Sequence, residues 1–178
     1  MKFEILDAVF ISVYAILYSM MEIEIEGSDG GWAKNLKTVP SGVGRFTCYH
    51  LIMNIIVILT IFYALIPRCN IWTIVFFTAA WFAIEDTFWF ILNPGFTLKR
   101  YKKSEIWWHA HQPWPCGIPM HNWVAFATML VSGLLARNWR LLVSFGVMTG
   151  LCGITIAAAP LYHALHKRMR QRCNNTDE

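Results

Sequence analysis

The sequence predicts an all-α integral membrane protein, a bundle of about five transmembrane helices with the N-terminus outside and the C-terminus in the cytoplasm. Of its 178 residues, 56% are hydrophobic and only 15% are charged, whereas a soluble domain carries roughly 25% charged residues. The mean hydropathy is +0.43, and the apolar residues come in long blocks. These observations predict a single transmembrane domain over residues 1–178.

Five apolar segments are long enough to cross a bilayer, which takes about 20 residues with a range of ~17–25. They are residues 5–21, 46–66, 71–92, 120–136 and 141–162. Pro67 ends the second segment and Asn93-Pro94-Gly95 ends the third, because proline and glycine interrupt helices. Only residues 137–140 join the last two segments, which predicts an antiparallel helical hairpin.

The basic residues predict the orientation of the bundle. Eleven of the fifteen Lys and Arg residues lie within 22–45, 93–119 and 163–178, three regions that five spans place on one side. The positive-inside rule assigns that side to the cytoplasm, so the loops 22–45 and 93–119 and the tail 163–178 are predicted to be cytoplasmic. Basic clusters that flank apolar segments indicate membrane lipid as a partner and argue against nucleic acid. The oligomeric state stays open, with a homo-oligomer as one alternative.

Glu85 and Asp86 lie inside the third predicted helix, about 10 Å from its cytoplasmic end at ~1.5 Å per residue. A charge at the centre of such a helix costs roughly 2.5–3.5 kcal/mol on insertion scales, so these residues normally face the bundle interior. Neighbouring positions on a helix point about 100° apart, so one carboxylate can face a site while the other holds a neighbouring helix. Because charged residues inside membrane helices normally mark functional sites, we expect Glu85 and Asp86 to be catalytic. The alternative is a pair of interfacial acids that bind solvent or a nearby lysine.

All six histidines fall on the predicted cytoplasmic side, and the outer side shows no comparable polar layer. Residues 107–123 contain four Trp, three His and three Pro, a composition that favours a loop lying in the membrane interface. In an extended His109-Ala110-His111 segment both imidazoles project to one side, which suits metal binding. The alternative is an aromatic belt with incidental histidines.

Histidines from separate segments could then converge with Glu85 or Asp86 on one metal ion. The candidate metal ligands are His50, His109, His111, His121 and His163. Imidazoles combined with carboxylates suit Fe, Zn or Mn. The expected substrate-binding residues around this centre are Trp89, Asn93, Trp108 and Asn122.

Two stretches of the chain carry a resemblance. One is Glu24-Ile25-Glu26-Gly27 followed by Gly31-Trp32-Ala33, where alternating Glu and Ile predict a short strand or an interfacial segment. The acidic run that begins at Glu22 could bind a divalent cation, although a solvated loop with a turn is the favoured interpretation. The other is Glu85-Asp86-x-x-Trp89-Phe90-x-x-Asn93-Pro94, followed by Trp108-His109. Together they resemble a family of small, uncharacterised polytopic membrane proteins, which usually carry Leu-Pro-Thr where this chain has residues 36–40, Leu-Lys-Thr-Val-Pro. The resemblance covers about half of the chain and implies no activity.

Three classes of function fit these features. The first is a metal-dependent membrane enzyme that acts on a lipid or isoprenoid-like hydrophobic small molecule at the cytoplasmic face. The second is a metal-free acid–base lipid isomerase or cyclase that uses Glu85 or Asp86 as a proton donor. The third is a proton- or ion-coupled transporter or a membrane assembly protein. We favour the metal-dependent enzyme, because polar residues converge on one side only.

Overall fold

The computed structural model of the chain describes residues 2–27, 36, 38–41, 44–96, 100–106 and 109–174. Its helices are α1 (Lys2–Glu26), α2 (Cys48–Leu65), α3 (Ile71–Leu92), α4 (Met120–Ala136) and α5 (Arg140–Asn174). An antiparallel hairpin of β1 (Thr38–Ser41) and β2 (Gly44–Thr47) precedes α2, with Thr38 opposite Thr47. The predicted helical architecture is confirmed, and the small hairpin is an addition that the sequence did not indicate.

Four of these helices are long and apolar enough to cross a membrane. They are residues Glu4–Glu26 of α1, all of α2, all of α3 and residues Arg140–Met169 of α5. The fifth helix, α4, has 17 residues, which at ~1.5 Å per residue is about 25 Å and a little short of a ~30 Å hydrocarbon core. The chain therefore has the helices of a multi-pass membrane protein.

Local chemistry explains where the helices begin and end. The Asn70 side chain accepts a hydrogen bond from the Thr73 amide at 2.8 Å and caps the start of α3. α4 begins directly after Pro119, and its bounds and those of α3 coincide with the predicted segments 120–136 and 71–92. α1 and α5 are longer than the segments 5–21 and 141–162. α1 continues to Glu26 because Glu22 and Glu26 are buried against other helices, and it ends at Gly27, whose φ is +62°.

α3 lies at the centre of the bundle and packs against the other four helices. Its aromatic side chains fill the core, where Phe77 and Trp81 are fully buried and Trp81 contacts the Tyr18 ring edge-on. α2, α4 and α5 expose large apolar side chains on their outer faces, among them Leu59, Leu130 and Leu142. Helices that are apolar on both the inner and the outer face are typical of a bilayer environment.

Successive helices run in opposite directions, so the bundle has two polar ends. The histidine end is formed by the last turns of α1 and α3, the first turns of α2 and α4, and the region of α5 around His163, as cross-helix contacts such as that of Glu26 with His50 show. The arginine end is formed by Glu4, Asp7, Arg68 and Arg140, with Arg68 Nη2 at 2.7 Å from Asp7 Oδ1. A cavity of about 230 Å³ lies between these residues. The expectation that the side opposite the histidines shows no comparable polar layer is therefore wrong.

Candidate metal centre

Asp86, His109 and His121 come together at the histidine end from three parts of the chain. His109 Nε2 lies 3.3 Å from Asp86 Oδ1, and His121 Nε2 lies 3.1 Å from Asp86 Oδ2. The two imidazole rings are 4.5 Å apart between centroids. α3 therefore supplies the carboxylate, the loop before α4 supplies one imidazole, and the first turn of α4 supplies the other.

Two tryptophans stabilise the loop that carries His109. The Trp114 indole donates a hydrogen bond to the His109 carbonyl at 3.1 Å, and the Trp123 indole donates to the Pro115 carbonyl at the same distance. Ile106, just before the loop, is fully buried and anchors it to the core. Trp114 in the loop and Trp123 in α4 thus have structural roles.

Gln112 links the two imidazoles and determines their tautomers. Its Oε1 accepts from the His121 backbone N–H at 3.1 Å, which fixes the orientation of the amide. His121 Nδ1, also 3.1 Å from Oε1, must therefore carry a hydrogen. The amide nitrogen of Gln112 then faces His109 Nδ1 at 3.2 Å, so the proton of His109 sits on Nε2 and is donated to Asp86.

Asn122 and Tyr101 complete the polar surroundings of Asp86. Asn122 Nδ2 donates to Asp86 Oδ2 at 3.1 Å, whereas its Oδ1 is buried without a hydrogen-bond partner among the described residues. Burial and the nearby Asp86 carboxylate raise the pKa of Tyr101 to about 12, so this phenol keeps its proton at neutral pH. A buried acceptor that lacks a partner is costly, and the Tyr101 side chain, which interacts with the Asn122 side chain, is a nearby hydrogen-bond donor.

The geometry of the three residues fits a divalent cation. One oxygen of Asp86 and one nitrogen each of His109 and His121 all lie within 4.8 Å of one another. Metal–ligand bonds of ~2.0–2.2 Å require neighbouring ligand atoms to be roughly 3.0 Å apart at octahedral angles and about 3.4 Å apart at tetrahedral angles. The nitrogen–oxygen distances of 3.3 Å to Oδ1 and 3.1 Å to Oδ2 of Asp86 are those of the present hydrogen bonds, and they fall within that interval for one histidine at each carboxylate oxygen.

The two histidines differ in readiness to bind metal. His121 donates its Nδ1 hydrogen to a carbonyl oxygen, which is the arrangement typical of a metal-ligating histidine. His109 would first have to transfer its hydrogen from Nε2 to Nδ1, and the Gln112 amide nitrogen would have to move away. Gln112 therefore controls whether this centre can hold a metal ion.

The predicted centre of five histidines is divided by the structure. His50 belongs to a different cluster, where its Nε2 lies 2.8 Å from Glu26 Oε1. His163 Nε2 donates a hydrogen bond to the Ile91 carbonyl at 3.1 Å, and His163 lies outside the group around Asp86. His111 is exposed and lies outside the three-residue group around Asp86. Only His109 and His121 converge as predicted.

Glu85 and Asp86 contact different neighbours, as their 100° separation on a helix requires. Asp86 faces the loop and α4, whereas Glu85 forms a side-chain hydrogen bond with Glu22 of α1. The Glu85 backbone carbonyl also accepts from the Ser19 hydroxyl at 2.9 Å. The two residues that were predicted to be catalytic therefore serve separate clusters, in line with the expectation that they point in different directions.

The predicted substrate-binding residues also separate. Asn122 lies in the site, beside Asp86. Asn93 donates to the Gly27 carbonyl at 2.7 Å and accepts from the Gly95 amide, so it joins the ends of α1 and α3. Trp89 is buried against the Phe90 and Phe96 rings, in the core. Trp108 lies outside the described residues.

Gln112 was not singled out by the sequence, whereas Glu22 and Glu26 were noted as part of an acidic run for which a solvated loop was favoured over a cation site. Glu22 and Glu26 were assigned to a cytoplasmic loop, although four residues apart on a helix they share one face. Gln112 follows the His109-Ala110-His111 segment directly, and that position is the one signal that could have identified it.

Comparisons with known proteins do not assign the chain to a group: no family model matches it, and no curated protein or solved structure matches it. The resemblance to small polytopic membrane proteins therefore stays a prediction, and function has to be inferred from the site.

Proposed function

We propose that this protein is a metal-dependent membrane enzyme that acts on a lipid or isoprenoid-like substrate at the histidine end of the bundle. The proposed topology is five membrane spans, with the N-terminus outside and the histidine end at the cytoplasmic face. The observation that carries the proposal is the convergence of Asp86, His109 and His121 from three chain segments, with ligand atoms at metal-binding separation.

The donor set indicates the chemistry. Two imidazoles and one carboxylate suit Fe, Zn or Mn and leave coordination positions open for a substrate. A cation at this position would polarise an oxygen of the substrate or activate water. The Asn122 side chain donates a hydrogen bond to Asp86 and so lies beside this position. Because α2 and α4 expose apolar faces, we assign the substrate to the hydrophobic small molecules of the bilayer.

The test is metal analysis of the detergent-purified full chain by plasma mass spectrometry. We expect the Asp86→Asn and His121→Ala variants to hold one metal ion fewer than the wild type. His111→Ala is the matched control, because His111 is an exposed histidine of the same loop that lies outside the cluster. An unchanged metal content in both site variants would overturn the proposal.

A second function, metal-free acid–base catalysis, is favoured by the position of Gln112. Without a metal, both ring nitrogens of His121 face acceptor oxygens, Gln112 Oε1 and Asp86 Oδ2. An imidazole with hydrogens on both nitrogens satisfies both contacts and is a proton donor for a lipid isomerase or cyclase reaction. The expected result is a protein purified without metal, in which nitrogen NMR shows a doubly protonated His121. A singly protonated ring would contradict this alternative.

A transporter is less well supported by the described core. Between the two polar ends, α3 contributes fully buried Phe77 and Trp81. The hydroxyls of Ser12 and Ser19 bond the Ala8 and Ala15 carbonyls of their own helix at 2.8 and 2.9 Å. An ion path needs polar groups along its whole length, so the geometry favours chemistry at one end over transport between the ends.

A further inference from the structure

A second polar cluster lies on the other flank of α3, between α1 and α2. Glu26 Oε1 is 2.8 Å from His50 Nε2, and Glu22 offers a third ligand atom within 4.8 Å of both. The hydroxyl of Thr47 lies 2.6 Å from His50 Nδ1 and so orients the ring. Glu85 joins the cluster through its hydrogen bond to Glu22.

When its three carboxyls are all ionised, the cluster buries more negative charge than His50 alone can balance. Glu22 and Glu26 are 6% and 8% exposed. Among the described residues, no lysine or arginine forms an ion pair with Glu22, Glu26 or Glu85, and His50 is the one basic partner. Buried carboxylates without compensation are strongly unfavourable. Moreover, a carboxylate cannot donate a hydrogen bond, so the contact between Glu22 and Glu85 requires a shared cation, either a proton or a metal ion.

Tyr18 gives an independent indication of a ligand. Its side chain is 6% exposed, and its hydroxyl is directed at the Glu22 carboxyl without reaching full hydrogen-bond geometry to any described residue. Leaving a buried hydroxyl without a partner costs about 1–3 kcal/mol. A water molecule or other ligand on a cation held by Glu22 would satisfy it.

We infer that Glu22, Glu26 and His50, together with Glu85, form a second metal site, which takes a divalent cation of the Mn²⁺, Fe²⁺ or Zn²⁺ class. Carboxylates combined with one imidazole suit these ions. The site is distinct from the proposed Asp86 centre, because Glu22, Glu26 and His50 come from α1 and α2 and none of the four residues is a ligand of that centre. It adds a second metal-binding position to the proposed function and does not depend on it.

The experiment is a Mn²⁺ titration of the metal-stripped full chain in detergent, with free Mn²⁺ followed by electron paramagnetic resonance. We expect about two Mn²⁺ per wild-type chain, and one in the Glu22→Gln/Glu26→Gln double variant. Glu24→Gln is the matched control, because Glu24 lies on the same helix but is exposed and pairs with His166. The Asp86→Asn variant should lose the ion of the proposed Asp86 centre instead, so the two proposed sites can be distinguished.

Each outcome decides between the sites. If the double variant binds as many Mn²⁺ ions as the wild type, the second site is overturned. The wild type could instead bind a single Mn²⁺ ion that is lost in the double variant and kept in the Asp86→Asn variant. That result supports the second site and overturns the proposed Asp86 centre. Because the double variant also removes the Glu26–His50 pair, unfolding of the metal-stripped variant and wild type is compared as the folding check. His50→Gln, a milder change at a partly exposed position, should weaken binding at least about tenfold.

Discussion

The two ends of the bundle bury carboxylates in different ways. At the arginine end, Asp7 and Glu4 each contact a guanidinium, from Arg68 at 2.7 Å and from Arg140 at 3.3 Å. At the histidine end, Asp86 and Glu26 contact imidazoles instead. A guanidinium stays charged at every accessible pH and does not bind metals. An imidazole, in contrast, exchanges protons near neutral pH and can act as a metal ligand. The arginine end is therefore suited to stability, and the histidine end to chemistry.

Arg68→Ala should break the arginine end with the largest effect on stability. Asp7 is 2% exposed and would keep a buried charge without its cation. We expect a loss of about 3 kcal/mol in the free energy of unfolding, the lower end of the usual range for breaking a buried pair, because Arg68 is itself partly exposed. Denaturant unfolding in mixed micelles measures this change, and metal binding at the histidine end should be unaffected.

Two controls accompany the Arg68 variant. Arg140→Ala removes the other guanidinium, but 46% of its side chain is exposed, so we expect a loss below about 1 kcal/mol. The double variant Asp7→Asn/Arg68→Ala removes the orphaned charge and should recover most of the lost stability. No recovery in the double variant would show that the Asp7 charge is not the cause.

Gln112 offers the next largest change, at the histidine end. Gln112→Glu replaces the amide by a carboxylate that accepts hydrogens from the Nδ1 atoms of both His109 and His121, which leaves both Nε2 atoms available to a metal. We expect metal affinity to rise by about 10–100-fold, and Gln112→Leu to lower it by a similar factor. Calorimetric titration with Zn²⁺ measures both variants. Weaker binding in Gln112→Glu would favour the metal-free function.

The smallest expected effect is a change in the alkylation rate of the Cys69 thiol. Burial and the neighbouring Asp7 carboxylate raise the pKa of the Cys69 thiol. Less thiolate is present at a given pH, so alkylation in detergent should be slow and should accelerate only at higher pH. Asp7→Asn removes the carboxylate charge and should move the rate profile of Cys69 to lower pH. An unchanged profile would show that Asp7 does not act on this thiol.

Cys69 and the exposed Cys116 also test the proposed orientation, because they lie near opposite ends of the bundle. In intact cells an impermeant thiol reagent should spare Cys116 and should reach Cys69, slowly, from outside. Rapid labelling of Cys116 would show that the protein has the opposite orientation in the membrane.

Periodic and helix-stopping residues made much of the fold predictable. Asn93-Pro94 and Pro119 bound α3 and α4 at the predicted residues, because proline chemistry acts locally. The end of α1 was not predictable in this way. Glu22 and Glu26 suggest a solvated loop in sequence, and only their burial against His50 and Glu85 makes the helix continue.

The candidate site was predictable in its residue types and not in its grouping. Asp86, His109 and His121 were expected, but the assignment of His50 and His163 depends on which helix faces which. Asp7 and Arg68 escaped detection for the same reason, since 61 positions separate the partners in the chain. Long-range pairing of single polar residues leaves no periodic pattern in a sequence.

One peptide bond joins the two clusters, because Glu85 and Asp86 are adjacent on α3. A rigid helix moves both residues together, so a shift or rotation of α3 that improves contacts at Asp86 also displaces Glu85 relative to α1. Ligands at the two clusters would thereby become thermodynamically linked: whatever factor the first ion imposes on the affinity for the second, the second imposes on the first. The sign of that coupling depends on whether both ions draw α3 in the same direction.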